Sequence, residues 1–380
     1  MEKKKHILII CGEPSGDMQG AYLIRSIKEI MPDVNISGVG GELMLKAGAD
    51  VFCDIKDLAV IGFFDVLKKL PKFISLKKNV LRKIRETNPD LIILIDFSGF
   101  NLRIAKEINK AVPVFYYISP QVWASRPGRI KTIKEYIDRM IVVFKFEEEF
   151  YRRFDIKADF VGHPLLDIVK SDMSKGEFCQ TFGLDETKRI LCLLPGSRKQ
   201  EINKILPVML KSSLLINNQL KDIQVIIAKS QKIPLHTYNQ IIDRFKIKLK
   251  IIENRTYDCL NAADFCLVAS GTATLETAIL QKPFIVIYKM STLNYLLYRP
   301  QIKIPYISLV NILAGKKLIP EFIQFSATPE KISKETIRIA NNPKAMELII
   351  QELKTLKSSL GENGATRRAA KIICDFLLNK

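Results

Sequence analysis

Short, almost wholly apolar runs recur along this chain and alternate with longer stretches where apolar residues return every three or four positions. In the first part the runs fall near 6–11, 34–39, 90–96, 112–118, 139–144 and 158–161. Helical spacing fills the gaps, notably over 16–30, 65–87, 100–110 and 146–154. The second part repeats the pattern, with runs near 189–194, 223–228, 248–252, 264–269 and 284–288. Continuous apolar strands alternating with amphipathic helices predict parallel sheets covered on both faces. A polar stretch at 164–185, carrying Ser171-Asp172-Met173-Ser174-Lys175-Gly176, separates the two sets and reads as a linker. Beyond 327 the strands stop, and 329–378 reads as helices. The pattern predicts an α/β chain of two Rossmann-like, doubly wound domains, 1–170 and 171–345, facing across a cleft, with a helical tail over 346–380.

Composition narrows what such a chain does. Of 380 residues, 47% are hydrophobic and 26% charged, which excludes a disordered chain or a disulfide-stapled mini-domain. Lys+Arg exceed Asp+Glu by 59 to 40, a net charge of +19 that favours polyanions: nucleic acid, anionic lipid or phosphorylated substrates. No helix-turn-helix, RNP or zinc-finger pattern supports the first of these. The basic start Met1-Glu-Lys-Lys-Lys5 followed by an apolar run imitates a signal peptide. It is too short, lacks a cleavage site, and reads better as a first buried strand. No apolar run reaches the length of a spanning helix, so a soluble or peripheral protein is expected. The seven cysteines form no C-x-x-C pair, and the three histidines (6, 163, 236) show no ligand spacing, so neither a metal site nor a cofactor motif is expected.

In doubly wound sheets ligands bind beyond the carboxyl ends of the strands, so those loops carry the candidate chemistry. The first is Gly12-Glu13-Pro14-Ser15-Gly16-Asp17, which lacks the dinucleotide spacing G-x-G-x-x-G and is otherwise a tight turn capped by Ser15 or Asp17. Asp96 ends the run Leu91–Ile95 and precedes Phe97-Ser98-Gly99-Phe100-Asn101. It reads either as a general base toward a substrate hydroxyl or as a helix cap. In the second half, Pro195-Gly196-Ser197-Arg198 offers backbone amides and a guanidinium fork to a phosphate, unless Arg198 is merely solvated. Ser270-Gly271-Thr272-Ala273-Thr274-Leu275-Glu276 exposes amides at a helix start, with Glu276 one turn in, positioned for ribose hydroxyls or simply for the helix dipole. Two anion-type loops in one domain point to a nucleotide diphosphate. His163, in Gly162-His163-Pro164 near the domain junction, fits a cleft role and a structural role equally.

Residues 58–85 combine apolar Val60, Ile61, Phe63 and Phe64 with Lys68, Lys69, Lys72, Lys77, Lys78, Arg82, Lys83 and Arg85, against the single carboxylate Asp65. Such a segment suits an anionic membrane surface, although a core helix with a solvated basic face is the commoner arrangement.

Taken in order, these loops resemble the lipid-A-disaccharide synthases. The matching residues are Gly12-Glu13 with Ser15-Gly16-Asp17, Gly38-Val39-Gly40-Gly41, Asp96 with Phe100-Asn101, Tyr117 to Ala124 including Trp123, Phe146-Glu147 and Gly162-His163-Pro164. They continue through Leu194 to Arg198, Ser270 to Glu276, Asn311-Ile312-Leu313-Ala314-Gly315 and Pro320 to Gln324, and so span essentially the whole chain.

The resemblance implies a GT-B glycosyltransferase with an N-terminal acceptor domain, a C-terminal nucleotide-sugar domain and C-terminal helices that return to the first domain, in some members by exchange within a homodimer. It implies transfer from UDP-2,3-diacylglucosamine to 2,3-diacylglucosamine 1-phosphate at the cytoplasmic face of the inner membrane, with no bound metal or cofactor. Asp96 then resembles the base on the acceptor 6-hydroxyl. Gly196, Ser197, Arg198, Ser270, Gly271, Thr272, Ala273, Glu276, Asn311 and Gln324 fall on the nucleotide-sugar side. Glu13, Ser15, Asp17, Asn101, Trp123 and His163 fall on the acceptor side, and Val60–Phe64 falls where relatives have a membrane-contacting patch. The chain departs from the family at Ser98 and Gly99, where Pro and an acidic residue are usual, at Ser125 (usually Trp) and at Val310 (usually Pro). Within the same fold, a UDP-sugar epimerase or a transferase with another lipid acceptor is the nearest alternative.

Overall fold

Two parallel sheets organise the chain, one in each of two units: Met1–Asp167 with Leu360–Lys380, and Ile168–Ser359. The computed structural model describes residues 4–57, 63–124, 126–220, 222–298 and 305–379, with side chains throughout except at 57, 63–70, 297 and 298.

The first sheet holds β1 (His6–Ile10), β2 (Asn35–Gly40), β3 (Asp50–Asp54), β4 (Leu91–Ile95), β5 (Val114–Tyr117), β6 (Arg139–Val142) and β7 (Ala158–Phe160), in the order β3-β2-β1-β4-β5-β6-β7. All its pairings are parallel, with Ile9 opposite Gly38 on one side and Ile93 on the other. Ile7–Ile10 and Leu91–Ile95 are fully buried, which is why these strands read as unbroken apolar runs. The second sheet holds β8 (Arg189–Leu194), β9 (Ile223–Lys229), β10 (Leu249–Glu253), β11 (Phe265–Ala269), β12 (Phe284–Tyr288) and β13 (Glu321–Ile323), in the order β10-β9-β8-β11-β12-β13. Its core gathers Leu191, Leu193 and Leu267 with Ile202, Leu206 and Met209 of the helix Lys199–Gln219.

In each unit the strand order reverses beside the first strand, between β1 and β4 and between β8 and β11. That reversal is the switch point at which two strand-end loops diverge and leave a crevice. The loops are 11–13 and 96–97 in the first unit, and 195–198 and 270–271 in the second, each running straight into a helix.

The sequence pattern misses β3 and β13. Both are short edge strands whose residues are only partly buried, so no apolar run marks them. The helix expected over 65–87 begins at Phe63. The expected linker at 164–185 is structured as well, with helices Leu165–Ile168 and Lys175–Phe182. Ser174 and Glu177 form a capping box there, and Asp258 accepts from Ser171 Oγ and the Asp172 and Met173 amides. The polar stretch is therefore a helix start, and the division between units falls at 167/168.

The tail returns to the first unit from Leu360 rather than from 346. Helix Pro343–Ser359 packs instead on helices Thr272–Ile279, Leu309–Ala314 and Pro329–Ala340 of the second unit. Helix Ala365–Leu378 lies against helix Pro14–Ile30, burying Ala369, Ala370, Ile373, Cys374 and Leu377 at helical spacing. Arg368 fixes the return by donating to the Val161, Glu362 and Asn363 carbonyls, and the His163 amide donates to the Leu360 carbonyl.

Candidate active site

Asp96 and Phe97 follow β4 with φ of +49° and +42°, two successive non-glycine residues in the left-handed region. For ordinary L-residues this conformation costs about 1–2 kcal/mol each, so the surroundings must hold it. Asn101 Nδ2 donates to the carbonyls of Ile95 (3.1 Å) and Asp96 (2.9 Å), and the Tyr116 hydroxyl also donates to the Asp96 carbonyl. The Phe97 ring stacks on Phe100 at 5.2 Å and lies over Gly12, where a side chain would run into the ring. Glycine at 12 therefore lets the β1 and β4 loops approach.

The same approach brings the first turn of helix Pro14–Ile30 toward the Asp96 carboxyl; a methyl at Gly16 would stand 3.7 Å from its Oδ2. Burial first, and the neighbouring Glu13 charge second, raise the Asp96 carboxyl to about 7. A carboxyl that titrates near neutrality at the end of a buried strand is suited to accepting a proton.

The other residues that the resemblance assigns to the acceptor side separate into backbone holders and an aromatic cluster. Asp17 is buried and accepts from the Gly41 (2.7 Å), Met44 (3.1 Å) and Leu43 (3.2 Å) amides, capping the helix Glu42–Lys46. Glu13 is exposed and Ser15 half-buried at the start of the preceding helix. Trp123 Nε1 donates to Glu147 Oε1 at 3.1 Å, and its ring meets Phe146 edge-on at 5.0 Å. Glu147 is buried and its carboxyl is raised to about 7, burial outweighing the hydrogen bonds it accepts. Phe144 stacks with Phe146 and lies 5.2 Å from the His163 ring. Burial lowers His163 to about 3, so it is neutral at physiological pH. Its Nδ1 accepts from the Leu165 amide, which leaves the proton on Nε2.

In the second unit the two anion-type loops differ. After β8, Gly196 has φ of +113°, and a methyl there would sit 2.5 Å from Glu201 Oε2. That carboxylate accepts from the Ser197 (3.1 Å) and Arg198 (3.3 Å) amides, while its Oε1 accepts from Arg198 Nη1 at 3.2 Å. The amides expected to face a phosphate thus face an internal carboxylate. After β11, Gly271 has nothing within 4 Å of where a side chain would begin, and helix Thr272–Ile279 starts without a side-chain cap. Gly271 and Thr272 are exposed, Ser270 and Ala273 half-buried, and Glu276 accepts from the Tyr257 hydroxyl at 3.3 Å with its carboxyl raised by burial. This end stays open to an anion.

Asn311 and Gln324 brace loops. Asn311 donates to the Ile319 carbonyl and Glu321 and accepts from the Ile319 amide; Gln324 exchanges both side-chain hydrogen bonds with the Met290 backbone. Val60 and Ile61 fall outside the described residues, as do the side chains of Phe63, Phe64, Lys68 and Lys69, whose backbone is helical. Lys72 is exposed beside Ile74, while Leu76, Val80 and Ile84 of the same helix are buried. Among the described residues no helix is long and apolar enough to cross a membrane, and no group of three or more His, Cys, Asp or Glu gathers as a metal site.

Sequence reasoning missed Tyr116 and Glu201, and gave Glu147, matched with Phe146 in the family series, no role. Glu147 stands in the run Glu147-Glu148-Glu149, where only helical phase separates the buried carboxylate from its half-buried and exposed neighbours. For Glu201, the available signal was a Glu in the first turn of the helix, from which a carboxylate reaches back to the preceding amides.

Two doubly wound units with chemistry at their switch points define the two-domain architecture of the GT-B glycosyltransferases. Solved structures bear this out at the level of fold. The UDP complex of S. aureus MnaA matches with a TM-score of 0.67 at 12% identity, covering 98% of this chain and 97% of that one. The UDP-GlcNAc 2-epimerase of Neisseria meningitidis bound to UDP-GlcNAc gives 0.64 at 12% (99% and 100%), and the calicheamicin glycosyltransferase CalG4 gives 0.60 at 14% (99% and 99%). Sequence is more specific. The family model described as lipid-A-disaccharide synthetase matches residues 7–374. Lipid-A-disaccharide synthases of Syntrophus aciditrophicus and Coxiella burnetii (strain CbuG_Q212) are 42% and 38% identical, covering 96% and 99% of both this chain and theirs. The chain belongs to the lipid-A-disaccharide synthetase family and is a hexosyltransferase.

Proposed function

We propose that the chain transfers 2,3-diacylglucosamine from UDP-2,3-diacylglucosamine to the 6-hydroxyl of 2,3-diacylglucosamine 1-phosphate, forming the β-1,6 disaccharide 1-phosphate and UDP. The observation that carries this reading is the Asp96 carboxyl, raised to about 7 at the end of β4. The acceptor hydroxyl gives its proton to Asp96 as its oxygen bonds the anomeric carbon, and the carbon–oxygen bond to UDP breaks with its electron pair on the diphosphate. The anomeric centre inverts. Fixed dipoles and cations meet the leaving charge: the Gly271–Ala273 amides at the open helix start, and Arg198 with the Gly196–Ser197 loop once Glu201 releases it. Glu276 serves the ribose, Asn311 and Gln324 hold the loops that carry the site, and Glu13, Ser15, Trp123 and His163 line the acceptor side.

The acylated substrates place the work at a membrane surface. In this reading the segment from Val60 to Lys72 meets anionic lipid at the cytoplasmic face of the inner membrane, with the protein peripheral rather than inserted. The experiment is an assay with UDP-2,3-diacylglucosamine and the 1-phosphate acceptor, following UDP release and the disaccharide product together. Release of both supports the reading; a folded sample that releases neither refutes it.

A further inference from the structure

Three arginines gather beside the Asp96 loop without a carboxylate partner. Arg129 opens the helix Arg129–Tyr136, and its Nη1 donates to Ser98 Oγ at 2.6 Å. Gly99, next in the chain, adds no side chain; a methyl there would stand 3.7 Å from Arg129 Nη2. Arg126 lies in the turn before this helix with φ of +53°, and its carbonyl accepts from the Arg129 amide at 3.1 Å. Arg103 is exposed on helix Ser98–Ile108, which packs against the arginine-bearing helix.

None of the three makes an ion pair with Asp or Glu among the described residues, although ion pairs are common elsewhere on this surface. Burial first, then the charges of Arg126 and Arg103, push Arg129 below the ordinary arginine value. The placement is unfavourable on a second count, because a cation at a helix start opposes the dipole. A bound anion relieves both, and guanidinium forks suit a phosphate.

We infer that Arg103, Arg126 and Arg129 form the seat for the phosphate of the phosphorylated acceptor, with Ser98 orienting Arg129. The inference rests on the acceptor proposed above and adds what recognises its phosphate. The reach is right: Ser98 follows Asp96 by two residues, a Cα separation of at most about 7 Å. In this proposal the acceptor presents its hydroxyl to Asp96 and its phosphate to the arginines, which meet the same turn through Ser98.

The test compares wild type with the double variant Arg103→Gln/Arg126→Gln, both at exposed positions, and with Arg129→Lys. Each is assayed in neutral detergent micelles with the 1-phosphate acceptor and with the same diacylglucosamine lacking the phosphate. The expected result is a rise in acceptor KM of about tenfold or more, with kcat and donor KM little changed. The wild-type preference for the phosphorylated acceptor should shrink to a similar degree. Unchanged KM and unchanged preference in both variants would overturn the proposal. A loss confined to vesicles containing phosphatidylglycerol, and absent in micelles, would also overturn it, assigning the arginines to the bilayer headgroup instead. An inactive wild type would refute the proposed reaction; an active wild type with indifferent variants refutes only the phosphate seat.

Discussion

Asn101 reaches back to the carbonyl of Asp96 at 2.9 Å and, with Tyr116, holds the left-handed turn that presents the Asp96 carboxyl. The relationship makes Asn101 a positioning residue. It lies in the buried first turns of the helix Ser98–Ile108, and its amide also meets the Ile95 carbonyl.

Asn101→Ala should remove the side-chain donor from the Ile95 carbonyl and leave the Asp96 carbonyl with Tyr116 alone, a loss of about 1–3 kcal/mol in stability. Turnover should fall by about tenfold or more while UDP affinity stays within about twofold, because the misplaced group is the base rather than the nucleotide site. Titration of UDP by calorimetry alongside the turnover assay separates the two effects.

The raised Asp96 carboxyl fixes the sign of two pH dependences. Folded, it titrates at about 7; unfolded, it returns to the ordinary range near 4. Between these values the folded chain binds the extra proton, so this group's contribution to stability is greatest at low pH and declines as pH rises through about 7. With Asp96 as the proposed base, turnover should run the other way, rising with pH as its carboxyl ionises. Asp96→Asn should therefore raise the melting temperature at pH 8 by on the order of a few degrees and have little effect at pH 4. Melting curves at the two pH values check this.

Glu201→Ala removes the carboxylate from the Ser197 and Arg198 amides. The helix Lys199–Gln219 should lose the carboxylate that reaches back to the amides at its start, at about 1 kcal/mol. UDP should bind at least as tightly as in wild type, since an internal competitor has gone. Weaker UDP binding in a folded variant would show that Glu201 shapes the loop for the ligand instead of occupying its place.

Replacing Ile61, Phe63 and Phe64 together with Ser should weaken sedimentation with phosphatidylglycerol vesicles while leaving the melting temperature of the protein nearly unchanged. A large drop in melting temperature with unaltered sedimentation would assign these side chains to the core.

The sequence was most legible where chemistry coincides with a buried strand end. Asp96, Gly196 and Gly271 each follow an apolar run, and a doubly wound sheet puts such residues at its switch point. It was least legible where a role depends on what folds back onto a loop. Nothing local distinguishes Asp17, which caps a helix 25 residues downstream, from a carboxylate facing a ligand. Asn311 and Gln324 were likewise readable as polar residues near a site, yet each braces backbone that only the folded loop brings near. The arginine cluster assembles from two helices and the turn before the second, so the net charge of +19 announced anionic partners without singling out these residues. Edge strands β3 and β13 escaped because partial burial leaves no apolar run.

Asp96 is proposed to take the proton from the acceptor hydroxyl. This role is tested most directly by measuring turnover and UDP affinity of Asp96→Asn, a change of similar shape that also tolerates the left-handed backbone. Turnover should fall by about two orders of magnitude or more with UDP affinity nearly intact. Wild-type turnover from the folded variant would contradict that role.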